Sequence, residues 1–174
     1  MKQTIEILPA TSEHVSVITT IGRLAVEAAH RESCSADDMQ RFLDEHYHEQ
    51  AISVELADKN NHYHVVSVDG KVVGFSKIIL NCAHENIGEA QVAKLDRIYL
   101  LNEYFGQQLG FRLFNCNKEF ARKHNQTAIW LFTWVGNKRA VHFYQRLGFA
   151  IHAPHRFRVT DTHYNEHYQM VFLL

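Results

Sequence analysis

Apolar positions along the chain switch between a period of two and a helical period, and each switch marks an element. Residues 3–8 alternate, with Gln3, Ile5 and Leu8 set against Thr4 and Glu6, and predict a first strand closed by Pro9. Thr11 or Ser12 can cap a helix in which Val15, Ile18, Ile21, Leu24, Ala25 and Ala28 recur at helical spacing. Ser35-Ala-Asp-Asp38 reads as a capping-box-like start to a second helix, with Met39, Phe42 and Leu43 on its apolar side. A short helical piece is expected from Ser53 to Lys59. The strand-like runs His64–Val68 and Val72–Leu80 are joined by Asp69-Gly70, a strong two-residue hairpin turn. Asn81 to Glu89 is polar and loop-like.

A fourth strand from Gln91 to Leu101 leads through a polar turn into a helix with Leu109, Leu113, Cys116 and Phe120 on one face. That helix finishes on Arg122, Lys123 and His124, cations suited to the negative end of the helix dipole. Thr127–Val135 is continuously apolar, as expected of a strand in the buried middle of a sheet. A helix from about Lys138 to Leu147 ends at Gly148, and two last strands follow, around Phe149–Ala153 and His167–Leu173. No repeat, low-complexity tract or linker divides the order β-α-α-β-β-β-α-β-α-β-β, so residues 1–174 read as one domain. The fold class is α/β (α+β): a mixed, mostly antiparallel sheet of about seven strands with about four helices. A crossover helix between two central strands implies a locally parallel pair.

Composition narrows the partners. With 46% hydrophobic and 21% charged residues, the chain is ordinary for a globule with a substantial core. A formal charge of -1 gives no global attraction to nucleic acid or to an anionic membrane, so neither is expected as a partner. Cys34, Cys82 and Cys116 are odd in number and widely separated, which argues against a disulfide framework and for a reducing cytosol. The N-terminus lacks the apolar core of a signal peptide, so a soluble cytoplasmic protein is expected. The apolar last strand, Tyr168–Leu174, reads as exposed and leaves a homodimer open. Of the 13 histidines, His46/His48, His62/His64 and His163/His167 have ligand-like spacing. None has the Cys or Glu companions of a strong zinc motif, and no metal site is assigned.

The candidate chemistry lies in two stretches. In Leu95–Phe114, an apolar strand runs into a turn where Gly106 and Gly110 flank Gln107, Gln108 and Leu109. Such a turn brings main-chain N–H groups to one point at the positive end of a helix, a ready phosphate site. A plain helix start with a permissive glycine would look the same. The second stretch, Trp134–Phe149, carries Asn137, Ala140, Phe143, Tyr144, Gly148 and Phe149.

In this order the two stretches resemble the GNAT superfamily of acyl-CoA-dependent N-acetyltransferases, with patterns (Gln/Arg)-x-x-Gly-x-(Gly/Ala) and Asn-x-x-Ala-x-x-(Phe/Tyr)-Tyr-x-x-x-Gly-Phe. The second match is nearly complete. The first departs at Phe105, where Gln or Arg is usual, and at Gln108, where a middle glycine is common. The resemblance implies the GNAT fold and acetyl-CoA as cosubstrate. Its pyrophosphate would lie on the turn formed by Gly106, Gln107, Gln108, Leu109, Gly110 and Phe111. Its pantetheine arm would run along Ile98, Tyr99 and Leu100 and pair with the strand's backbone. Asn137 would cap its helix, contact the pantetheine, or both. The Tyr144 hydroxyl would protonate the departing CoA thiolate, unless Tyr144 is a core tyrosine tied to a neighbour.

The acceptor amine arrives protonated, with a pKa of ~10.4 for an alkylamine, and must lose that proton before it attacks. Asp96, two residues before Ile98 and on its side of the strand, with Arg97 and Tyr99 opposite, is the leading catalytic base; its alternative is a salt-bridge carboxylate. Glu89 and His152 are weaker alternatives. Asp37, Asp38, Asp44, Glu45 and Glu49 lie in helices that cover the acceptor site in this family; they either select a cationic amine or form a solvated face. Arg97–Leu101 with Trp134-x-x-Asn137 looks like the branch that includes bacterial polyamine acetyltransferases. The expected function is therefore direct transfer of acetyl to a small amine such as a polyamine. The alternatives are a protein N-terminus or lysine as acceptor, or a non-catalytic acyl-CoA-binding module.

Overall fold

In the computed structural model, which describes residues 3–158 and 163–174, seven strands form one sheet. They are β1 (Ile5–Pro9), β2 (Asn61–Val68), β3 (Lys71–Ile79), β4 (Val92–Leu100), β5 (Ala128–Trp134), β6 (Ala150–Arg158) and β7 (Tyr164–Leu173). Their order is β1-β2-β3-β4-β5-β7-β6, with β4 and β5 parallel and every other pair antiparallel. The hairpin between β2 and β3 turns at Asp69 and Gly70, whose φ angles of 50° and 81° are those of the mirror-image turn that matches strand twist.

Helix α1 (Val15–His30) and α3 (Glu49–Ala57) pack on one face of the sheet, with α2 (Ala36–His46) against them. Helix α4 (Leu109–Lys123) covers β2 to β4 on the other face, and α5 (Lys138–Leu147) lies beside it over β5. The period-two pattern divides the core accordingly. Val65 and Phe75 join Ile18, Ile21 and Ile52 beneath α1 and α3, while Val66 and Val73 join Leu109 and Leu113 beneath α4.

Several sequence expectations need correction. The helical piece expected from Ser53 to Lys59 runs instead over Glu49–Ala57 as α3. Its cap is His48, whose Nδ1 accepts from the Ala51 N–H at 3.3 Å, and histidine is outside the usual capping set. Leu24 points outward and is 52% exposed; Thr19 and Gly22 take buried positions in α1 instead. The last strand is not an edge: β7 lies between β5 and β6, leaving β1 and β6 outermost. The feature that suggested a homodimer is thus consumed inside the sheet. Among the described residues no helix is long and apolar enough to cross a membrane.

Two local features shape the centre of the sheet. Lys77 pairs with Arg97 and Ile78 with Leu95, so Asp96 is the extra residue of a bulge in β4. Pairing between β4 and β5 spans Val92–Lys94 against Ala128–Trp130 and then stops.

Candidate active site

Beyond Lys94 and Trp130 the two parallel strands separate, and the opening becomes a cleft of about 700 Å³. It passes between the two faces of the sheet. Tyr104, the start of α4 and one side of α5 line it on one face; Ala25, Ala29 and His30 of α1, with Trp134 and His167, line it on the other.

The α4 entrance is built by backbone conformation. Gly106 has φ 79° and Gln108, the N-cap, has φ 60° and ψ 11°, the left-handed region usual for glycine. The first helical bond is Arg112 N–H to the Gln108 carbonyl at 3.0 Å, so the amides of Leu109, Gly110 and Phe111 are the unpaired donors of the helix start. A Cβ on Gly110 would meet Phe143 Cζ at 3.1 Å; glycine here lets α4 and α5 close on each other. Gly106, Gln108, Leu109, Gly110 and Phe111 line the cleft, whereas Gln107 donates through Nε2 to the Glu103 carbonyl at 3.4 Å and does not. The guanidinium of Arg139, from the first turn of α5, lies over the ring of Phe105 at 4.0 Å. The family's usual side chain at position 105 is thereby replaced by an aromatic ring that carries an arginine.

Ile98, Tyr99 and Leu100 form the β4 wall of the cleft. Asn137 Oδ1 accepts from the Ala140 N–H at 3.0 Å, so it caps α5 while facing the cleft. The ring of Tyr144 packs edge-on against Phe149 at 5.6 Å, and among the described residues its hydroxyl has no hydrogen-bonding partner. Burial, with a smaller contribution from Tyr99, raises its pKa well above the usual phenol value, so it is protonated at neutral pH.

Asp96 stands elsewhere than expected. The bulge breaks the strand's alternation and turns its side chain to the α1 and α3 face, with Arg97 and Tyr99 rather than with Ile98. Its carboxylate takes Lys94 Nζ at 2.7 Å and Lys77 Nζ at 3.1 Å, with Arg97 Nε at 3.8 Å. Burial pushes its pKa up, but the two lysines outweigh it and bring the group down to about 2. A carboxylate so held is an ion-pair member and a very weak base. The other two base candidates lie outside the cleft: Glu89 accepts from the Thr127 hydroxyl, and His152 Nε2 meets the Asn86 carbonyl at 2.6 Å. The acids of α2 are outside it too, with Asp38 on Arg41 at 2.5 Å and Asp44 on Arg23 at 2.9 Å.

Two histidines stand where a base is wanted. His167 is buried, and its Nδ1 lies 3.1 Å from the Asn165 carbonyl. A carbonyl can only accept, so Nδ1 carries the hydrogen and Nε2 keeps its lone pair. His30 packs against Trp134 with ring centroids 5.7 Å apart, and burial, then the neighbouring His167, lowers it to about 4. Burial also lowers His167. The sequence offered His167 only as half of a metal-like pair with His163, and offered no signal for His30. Among the described residues no three potential ligands gather to hold a metal.

The fold, a mixed sheet opened at its parallel pair, is shared with solved N-acetyltransferases along nearly their whole length. A PaiA N-acetyltransferase from Thermoplasma acidophilum, solved with coenzyme A, matches with a TM-score of 0.79 over 98% of this chain and 99% of its own, at 18% identity. A spermidine N-acetyltransferase from Vibrio cholerae matches with a TM-score of 0.70 over 97% and 93%, also at 18% identity. In sequence, an uncharacterized N-acetyltransferase of Lactobacillus delbrueckii subsp. lactis is 28% identical over 127 residues, 73% of each chain. The model of the acetyltransferase (GNAT) family matches residues 20–149, and the chain belongs to that family. It is an N-acetyltransferase.

Proposed function

We propose that the cleft binds acetyl-CoA and a small primary amine together and moves the acetyl group directly between them, with Tyr144 and His167 handling the protons. The observation that carries this reading is that these two side chains come from opposite faces of the sheet, α5 and β7, to line one opening.

The pyrophosphate rests on the free amides of Leu109, Gly110 and Phe111, favoured by the helix dipole, with Arg139 adding charge beside Phe105. The pantetheine arm runs along Ile98, Tyr99 and Leu100, past Asn137, and places its thioester in the split. The ammonium gives one proton to solvent as it enters the cleft, and the nitrogen lone pair so freed attacks the thioester carbonyl carbon. His167 Nε2 takes a proton from that nitrogen as the C–N bond forms, when the nitrogen becomes acidic. The C–S bond breaks, and the Tyr144 hydroxyl gives its proton to the thiolate. A thiol of pKa ~8.5 is a far better leaving group protonated than as a buried anion. Solvent restores both groups as products leave.

Asp96 is held in ion pairs with Lys77 and Lys94 and does not take the proton in this scheme. The polyamine acceptor suggested by the sequence finds little support, because the α2 carboxylates lie outside the cleft. Thermal unfolding with and without acetyl-CoA, followed by thiol release against a panel of amines, tests the reading. A cofactor at ~100 times its dissociation constant adds about 2.7 kcal/mol of stability, several degrees in melting temperature. Stabilisation with amine-dependent thiol release is expected; no stabilisation at saturating acetyl-CoA would overturn it.

A further inference from the structure

Charge is unevenly distributed around Asp96 and Arg97, the two members of an ion-pair cluster that line the cleft. Glu55 takes Lys77 Nζ at 2.6 Å, Arg97 Nη2 at 2.9 Å and the Tyr63 hydroxyl at 2.6 Å. Asp96 takes Lys94 at 2.7 Å and Lys77 at 3.1 Å. Three cations therefore share two carboxylates, and both carboxylates are spent. Lys77 is 8% exposed and bridges the pair; Arg97 is equally enclosed, donating also to the Tyr63 hydroxyl at 2.7 Å and stacking on Tyr47 at 4.7 Å. Lys94 has a single carboxylate partner. The surplus positive charge belongs to it.

Lys94 is also the member that solvent reaches, with 25% of its side chain exposed. Its ammonium lies 5.5 Å from the ring centre of Trp130 and 6.0 Å from that of Phe132, a residue that lines the cleft. His155 stacks on Phe132 at 3.9 Å, so apart from Asp96 the lysine's neighbours here are aromatic rings. Asp96 is the one carboxylate among the described residues that line the cleft, and its charge is already matched by Lys94 at 2.7 Å and Lys77 at 3.1 Å behind it. A cation is repelled here and an anion has a donor waiting.

We infer that the acceptor is an amine that also bears a carboxylate, which pairs with Lys94 while the amine reaches the thioester. This rests on the acetyltransferase reading and names its substrate class.

The test compares two matched sets of amines on the intact protein: ethylamine, 1,2-diaminoethane and glycine, then 1-aminobutane, 1,4-diaminobutane and 4-aminobutanoate. Acetyl-CoA binding is followed calorimetrically in the same preparation. In at least one set the carboxylate amine should exceed both companions in kcat/KM by about tenfold. Lys94→Gln should remove that advantage by raising KM for the carboxylate amine, with kcat and acetyl-CoA affinity held, and Lys94→Arg should keep part of it. Preference for the diamines, no preference, no acetylation of either carboxylate amine, or an unchanged KM in Lys94→Gln would each overturn the inference. If acetyl-CoA binds in those cases, charge selection alone has failed; if it does not bind, the acetyltransferase reading has failed with it.

Discussion

Arg139 and Phe105 meet as cation and ring at 4.0 Å, joining the first turn of α5 to the turn that opens α4. Such a contact contributes roughly 0.5–2 kcal/mol, depending on how far water is excluded, and it aims the guanidinium where phosphate would lie. Arg139→Ala should raise KM for acetyl-CoA by about tenfold with kcat little changed, because the contact is equal in ground and transition states. Phe105→Ala should act in the same direction, less strongly. Steady-state kinetics at varied acetyl-CoA checks both, and a fall in kcat at constant KM would refute the assignment.

Gln108 holds a left-handed conformation, with φ 60°, which costs a side-chain-bearing residue about 1 kcal/mol or more. Its side chain is exposed, so nothing is lost from the core on replacement. Gln108→Gly should therefore leave the protein as stable or up to about 1 kcal/mol more stable in urea unfolding, despite the entropy that glycine adds to the unfolded chain. A clear loss of stability would mean the turn is set by the glutamine side chain and not by its backbone.

Stability should fall on acidification in a window set by histidines. His30 is lowered to about 4 in the folded protein against an ordinary 6.5, so between these values the unfolded chain binds more protons. Its contribution is intact above pH 6.5, declines as pH falls and is spent near 4, amounting to about 3 kcal/mol. Burial lowers His62, His64, His155 and His167 as well, and they act in the same direction. Asp96, at about 2, loses its contribution at lower pH still. Urea midpoints from pH 7.5 to 4.5 should drop steadily, and His30→Gln should flatten the slope; a flat wild-type profile would mean these rings are not buried neutral.

Lys77 is buried between Glu55 and Asp96, and removing it takes a short ion-pair contact from each of these half-buried carboxylates and leaves a cavity where its side chain packed. Lys77→Ala should cost roughly 3–5 kcal/mol, far more than loss of an exposed pair such as Arg122 and Glu119. Differential scanning calorimetry of the two variants side by side gives the comparison.

Much of the scaffold was legible because each period maps onto one element: Asp69-Gly70 fixed a hairpin, and Thr127–Val135 declared a buried strand. Asn137 announced its cap in the same way. What escaped depends on register and pairing. Alternation placed Asp96 beside Ile98, but one extra residue in β4 reversed its side, and no local pattern marks a bulge. β7 reads as a terminal edge from its position in the chain, although it inserts between β5 and β6. His30 and His167 are separated by most of the chain and meet only when α1 and β7 reach the same end of the split. Phe105 looked like a defect in the phosphate turn until Arg139 was found on its ring.

Tyr144→Phe is the most direct measurement, because it removes one oxygen that has no hydrogen-bonding partner among the described residues and leaves the packed ring in place. Acetyl-CoA affinity measured by calorimetry should change less than threefold, while kcat with a competent amine should fall by about 10²-fold or more, the range expected for loss of a general acid. An unchanged kcat would remove Tyr144 from the proton transfer to the thiolate.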